Sequence, residues 1–153
     1  MRYASVYKTN KVLIFCSNAQ TTEGVNLSIP PYIHLEKDAN AVDVTNAINK
    51  VIEGNQFNVP HPKHNEWEEI SQKHLAGLGI KSLSMLHKKA IYCSIYEDSE
   101  TLIFYPARNA GQTRGYEFIS DMHIKVPMNA SADRIFAALQ ETLLISENAG
   151  LSM

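Results

Sequence analysis

Cysteine is scarce in this chain. Cys16 and Cys93 are its two, and no Cys-x-x-Cys pair exists to hold a metal or run thiol exchange. Both lie in strand-like text, so the expectation is two buried free thiols in a reducing cytoplasm, not a disulfide framework. Long apolar runs are missing too. No stretch nears the roughly 18 residues a spanning helix needs, and Met1-Arg2-Tyr3-Ala4-Ser5 enters strand pattern at once, so neither a membrane span nor a classical signal peptide is expected. Charge of one sign is weak. A formal charge of −2 and a pI near 6.3 argue against direct nucleic-acid binding through a large basic face, and leave the chain free to meet a basic partner.

Catalytic signatures are lacking as well. Gly77-Leu78-Gly79 has no third glycine and Lys81 follows after one residue, so no phosphate loop is present and a helix C-terminus is the simpler reading. Ser94, Ser99 and Ser120 stand in no Gly-x-Ser-x-Gly context. His61, His64 and His74 raise zinc, but Pro62 stiffens the first pair and the third lies ten residues on, off any shared helical face. No catalytic group, cofactor or metal is therefore expected.

What is present is strand text that occurs twice. Ile91-Tyr92-Cys93-Ser94-Ile95-Tyr96, an acidic turn Glu97-Asp98-Ser99-Glu100 and Thr101-Leu102-Ile103-Phe104-Tyr105 read as a hairpin of β-branched and aromatic residues. Tyr3, Ser5, Tyr7, Leu13, Ile14 and Phe15 repeat at constant offset as Tyr92, Ser94, Tyr96, Leu102, Ile103 and Phe104. After a two-residue gap the echo continues at Asn18/Asn109, Thr22/Thr113, Gly24/Gly115, Ile33/Ile124 and Ala47/Ala138. We read a tandem duplication.

With 153 residues and 44% hydrophobic composition, one α+β domain over 1–153 is expected: a repeat half at 1–54, a helical insert at 55–89 and a second half at 90–146. Each half reads as ββββα. In the first, strands fall at 2–8, 11–17, 25–29 and 32–36, with Pro30-Pro31 ending the third. Asn40 suits an N-cap, Val44, Ala47, Ile48, Val51 and Ile52 make one helical face, and Gly54 ends it. In the second, strands fall near 91–96, 101–106, 116–120 and 122–126, and Ser131 caps a helix with Ile135, Phe136, Leu139 and Leu143 inward. Two such halves bury their faces by sharing or facing sheets about an approximate two-fold, with helices packed on them. In the insert, Asn58 to His64 is extended by its prolines, a helix from about Asn65 turns Trp67, Ile70, His74 and Leu75 inward, and Ser82 to His87 makes a short helical turn.

Two acidic clusters stand out: Glu66, Glu68 and Glu69 in the insert, and Glu97, Asp98 and Glu100 in the hairpin turn. A solvated helix face and a turn would explain them; alternatively they offer carboxylates to a Lys/Arg-lined partner. Trp67, Tyr96, Tyr105 and Tyr116 are candidate aromatic anchors, with core packing as the competing role of Trp67. A reading of another class is a small-ligand module or enzyme with a pocket between the halves, lined by His34, His123 and Arg108.

Leu78-Gly79-Ile80-Lys81-Ser82, a short helical turn, a hairpin ending near Pro106, a later strand and a C-terminal helix carrying Ala138-Leu139 resemble the contact-dependent growth inhibition immunity proteins. The similarity covers Leu75 to Ile145. What it implies is no enzyme but a cytoplasmic antitoxin that binds, one to one, the C-terminal toxin domain of a large effector, often a nuclease acting on RNA, and blocks its site or its substrate's access. On that reading Glu66, Trp67, Glu69, Glu97, Asp98 and Glu100 are the expected toxin-binding residues.

Overall fold

A computed structural model describes residues 1–150, so the last three residues of the expected domain lie outside it. The first half gives strands β1 (Arg2–Lys8), β2 (Val12–Thr21) and β3 (Asn26–Glu36), then helix α1 (Ala41–Glu53). The insert holds a short strand β4 (Gln56–Val59), a 3-10 turn at His64–Glu66, and helices α2 (Trp67–Leu78) and α3 (Leu83–Lys89). The second half gives β5 (Ile91–Glu97), β6 (Thr101–Asn109), β7 (Tyr116–Phe118), β8 (Ile124–Pro127) and α4 (Ala132–Gly150).

All eight strands join one sheet, ordered β3-β2-β1-β5-β6-β7, with β4 also on β2 and β8 also on β6. Every pairing is antiparallel except β4 with β2. The middle of the sheet is the β1–β5 pair. Its register sets Ser5 opposite Ser94, Tyr3 opposite Tyr96 and Tyr7 opposite Tyr92, so corresponding residues of the two halves exchange places across the pair.

Alternation along these strands sorts their side chains onto two faces. Ala4, Val6, Leu13, Phe15, Cys93, Ile95, Leu102 and Phe104 form the larger core with Val44, Ile48 and Val51 of α1 and Ile135, Leu139 and Leu143 of α4. Phe15 and Phe104 are wholly buried, worth about 1.5–3 kcal/mol each in apolar transfer. On the opposite face Tyr7, Ile14 and Cys16 pack with Leu75 and Leu78 of α2 and Leu86 of α3. Cys16 and Cys93 are free and buried. Burial pushes the Cys16 thiol up to about 12, and Cys93 higher still.

The local chemistry of helix ends matches its sequence signals. The Asn40 side chain accepts from the Asp43 N–H at 2.8 Å, capping α1, and Gly54 closes it. Ser131 Oγ accepts from the Arg134 N–H at 3.2 Å and Ser82 Oγ from the Met85 N–H at 3.2 Å. Gly79, at φ +71°, ends α2 in the left-handed region that glycine tolerates.

Four expectations need correction. Pro30-Pro31 does not end a strand: β3 runs through it, with a register shift at Cys16/Ser17. The edge position permits this, because a proline there can lack an N–H without breaking an inner ladder. The first half is therefore βββα, not ββββα. The second half keeps its expected ββββα order, with the strands near 116–120 and 122–126 standing as β7 and β8 on either side of a 3-10 turn at Ser120–Met122. The insert contributes a strand and two helices where one helix and a short turn are expected, and Gly77 lies inside α2 instead of closing it.

Candidate functional site

Helices α2 and α3 cover only part of the second face. Period-two spacing puts Tyr3 of β1, Tyr92 and Tyr96 of β5, and Ile103 and Tyr105 of β6 on that face, where β7 adds Tyr116 and Phe118. Their rings touch in series. Tyr7 lies 4.8 Å from Tyr92, Tyr92 5.1 Å from Tyr116 and 6.1 Å from Phe118. Phe118 is 6.2 Å from Tyr105, Tyr105 meets Tyr96 edge-on at 5.3 Å, and Tyr96 is 4.8 Å from Tyr3.

The series starts buried and ends in the open. Tyr7 is in the core, Tyr96 and Tyr105 are half-buried, and Phe118 is 47% exposed. Around Tyr96, Ile103, Tyr105, Phe118 and Met1 the surface dips into an open cavity of about 250 Å³. Such rings are rigid, amphipathic and already partly desolvated, so covering them loses little side-chain entropy.

By the same alternation the charged pairs nearest these rings fall on the other face of the sheet, at the strand ends. Arg2 donates to Glu97 Oε1 across β1 and β5, at 2.7–2.8 Å. At the other side Glu117 takes Arg108 at 3.0 Å and Arg114 at 2.7 Å, and the Arg108 hydrogen bond foremost holds its carboxyl below the usual carboxylate range.

The expected site residues divide into two groups. Glu97, Asp98 and Glu100 share the β5–β6 turn next to Tyr96, but Glu97 is already paired with Arg2 and Asp98 Oδ1 accepts from the Ser99 N–H at 2.8 Å. Glu66, Trp67 and Glu69 sit at the start of α2. Glu66 accepts from the Lys63 N–H at 2.7 Å, Trp67 is half-buried with its ring edge-on to His61 at 5.5 Å, and Glu69 faces Lys73 at 3.3 Å. Among the described residues no hydrogen bond, ion pair or ring contact joins the two groups.

The inter-half pocket lined by His34, His123 and Arg108 is not formed. His34 lies on edge strand β3, its Nε2 2.9 Å from the Gly77 carbonyl, while His123 and Arg108 lie by β6 at the opposite edge. The histidines weighed as zinc ligands part company in the same way. His61 meets Thr21 Oγ1 at 3.0 Å, whereas His74 sits between Tyr32 OH at 2.8 Å and Tyr7 OH at 3.2 Å, and burial lowers its pKa. Among the described residues no cluster of three or more His, Cys, Asp or Glu is placed to hold a metal ion, and no helix is long and apolar enough to cross a membrane.

Tyr3, Phe118 and Met1 escaped the sequence reading. The first had a signal in the Tyr-x-Ser-x-Tyr spacing of β1 and β5, which puts both tyrosines of each strand on one face. Phe118 had one as well, since it stands two residues past Tyr116 in the strand expected at 116–120 and so shares its face.

No protein-family model matches the sequence, and comparison with curated proteins finds no match. Solved structures do match its fold. A protein of unknown function from Neisseria meningitidis superposes with a TM-score of 0.74 at 15% identity, covering 94% of this chain and 93% of its own. A chain of the CdiA-CT/CdiI toxin and immunity complex from Yersinia pseudotuberculosis superposes with a TM-score of 0.73 at 15% identity, covering 94% and 95%.

Proposed function

We propose that this chain is an immunity protein of contact-dependent growth inhibition, which binds and neutralises a toxin domain. The observation that carries the reading is the fold shared end to end with a chain of a toxin and immunity complex. The resemblance at Leu78-Gly79-Ile80-Lys81-Ser82 points the same way from the sequence side. On this reading the chain works as a binding surface in the cytoplasm and performs no catalysis. Its partner is a nuclease domain acting on RNA, held one to one with its site or substrate path covered.

The docking face we assign is the open end of the aromatic series, with Tyr96, Tyr105 and Phe118 as anchors and the turn Glu97, Asp98 and Glu100 on its rim. Rings centred in a patch and ringed by polar groups are where interface energy concentrates, while rim charges mainly set the association rate. Glu66, Trp67 and Glu69 form a second, more distant part of the contact.

The test is co-purification with the toxin domain encoded immediately upstream, followed by titration calorimetry. Tight binding that stops RNA degradation is expected. Tyr105→Ala together with Tyr96→Ala weakens it by about thirtyfold or more. Asp98→Lys with Glu100→Lys slows association and makes it less salt-sensitive. No binding of the native chain at micromolar concentration defeats the immunity reading.

A further inference from the structure

Charge is distributed unevenly over this mildly acidic molecule. At the end of the sheet where β1 turns into β2, the segment after α2 and helix α3 approach the hairpin and leave a cleft of about 740 Å³. Lys11, Lys81, Lys88 and Lys89 line it, and no carboxylate does. A second cavity of about 350 Å³ shares Thr9, Asn10 and Lys89 with the first and adds Lys8 and Lys37, with Glu147 its one acidic residue. Six lysines thus converge from four separate parts of the chain. None of them forms an ion pair among the described residues, although Arg2, Arg108, Arg114 and Lys73 each do.

The floor of the cleft is aliphatic: Val12, Ile14, Leu78, Ile80 and Met85. Two properties of this lining identify the occupant. Unpaired ammonium groups repel one another at close range, and an anion between them relieves that repulsion, so the site is built for negative charge. The floor carries no aromatic ring or guanidinium on which a base would stack, as single-stranded nucleic acid requires, but it suits leucine- or isoleucine-sized side chains. Two adjoining cavities around one turn fit an extended ligand better than a compact one.

We infer that the cleft between the β1–β2 turn and α3 docks an acidic polypeptide segment, its carboxylates on Lys81, Lys88 and Lys89 and its aliphatic side chains on the floor between them. A partner protein supplies this segment, whether or not the aromatic face binds a toxin. It is the opposite polarity to the acidic turn at Glu97 to Glu100, so a partner touching both regions presents both signs of charge.

The experiment uses the full chain and three fluorescein-labelled probes of equal length, in anisotropy titrations at 50 and 300 mM salt. They are a Glu-Leu-Glu-Ile repeat peptide, the same peptide with Lys for Glu, and oligo-dT. The acidic peptide binds at micromolar concentration and loses about tenfold in affinity at the higher salt, and the basic peptide does not bind. Lys88→Glu with Lys89→Glu weakens the acidic peptide at least tenfold, Lys81→Glu does the same on its own scale, and Lys50→Glu with Lys125→Glu, away from the cleft, leaves binding unchanged. Unchanged thermal unfolding shows that the variants keep their fold. Absence of acidic-peptide binding, or equal binding to the two pairs of charge-reversed variants, overturns the inference. Tighter binding of oligo-dT than of the acidic peptide overturns it as well. Toxin-domain binding by the native chain is measured separately, so failure here and failure of the immunity reading are distinct results.

Discussion

His74 has partners that no local pattern foretells. The sequence places it on the inward side of α2, and the structure surrounds it with Tyr32 and Tyr7, from strands far away in the chain. A neutral imidazole suits this setting, one ring nitrogen donating to one phenol oxygen and the other accepting a phenol proton. Burial disfavours the charged ring and lowers its pKa, so at mild acidity the unfolded chain takes up a proton that the native chain refuses. Stability from this group is whole above the unfolded value near 6.5 and declines as pH falls below it toward the lowered folded value, by at most about 1.4 kcal/mol per pH unit for one proton. His74→Gln should cost about 1–3 kcal/mol at pH 7.5 and flatten that decline. Urea unfolding of both proteins between pH 7.5 and 5 checks it; an identical slope for the variant assigns the decline elsewhere. Cys16 and Cys93 show the contrasting case, in which strand text alone was enough to place both residues in the core.

Elements with strong local grammar were legible, most strands included; the continuity of one strand and the presence of another were not. The face Val44, Ala47, Ile48, Val51 and Ile52 of α1, its Asn40 cap and its Gly54 end are all encoded within the helix, and each is observed. The unbroken run of β3 through its prolines and the addition of β4 depend on which lane of the sheet is vacant, information that lies in other strands. Gly77 shows how the two levels meet. A turn residue by type, it sits inside α2 because a Cβ there would lie 2.5 Å from the Tyr32 ring of β3, so the glycine sets how closely helix and sheet approach. Helix propensity alone would make Gly77→Ala stabilising by about 1 kcal/mol. The contact reverses the sign: a loss of about 1–3 kcal/mol is expected, and the same change in a Tyr32→Ala background should be neutral or stabilising. Denaturant unfolding of the single and double variants decides between propensity and packing, since a gain in the Tyr32 background and a gain in the native one would mean the ring simply moves aside.

At the scale of the molecule, the two halves meet through β1 and β5 with Ser5 opposite Ser94, the register expected if equivalent strands pair about a two-fold. The insert of β4, α2 and α3 makes the two halves unequal and covers one face only in part. That inequality could not be seen in the sequence. It leaves the aromatic series closed at Tyr7 and open at Phe118, and it gathers lysines from distant segments into a cleft that a net charge of −2 conceals. The same arrangement bears on self-association. Open sheet edges invite pairing with another copy, but here one outer strand, β3, carries Pro30 and Pro31, and the other edge is divided between β7 of three residues and β8 of four. Neither edge offers a long uninterrupted ladder, and a second copy would meet the lysine-rich end with the same sign of charge. The chain alone should therefore run as a 17.1 kDa monomer in light scattering at about 100 μM and low salt. A stable dimer would mean that the aromatic face is covered by a second copy, and Tyr105→Ala should then return it to monomer. If that substitution left the dimer intact, an edge strand would have to be the contact despite its prolines and its breaks.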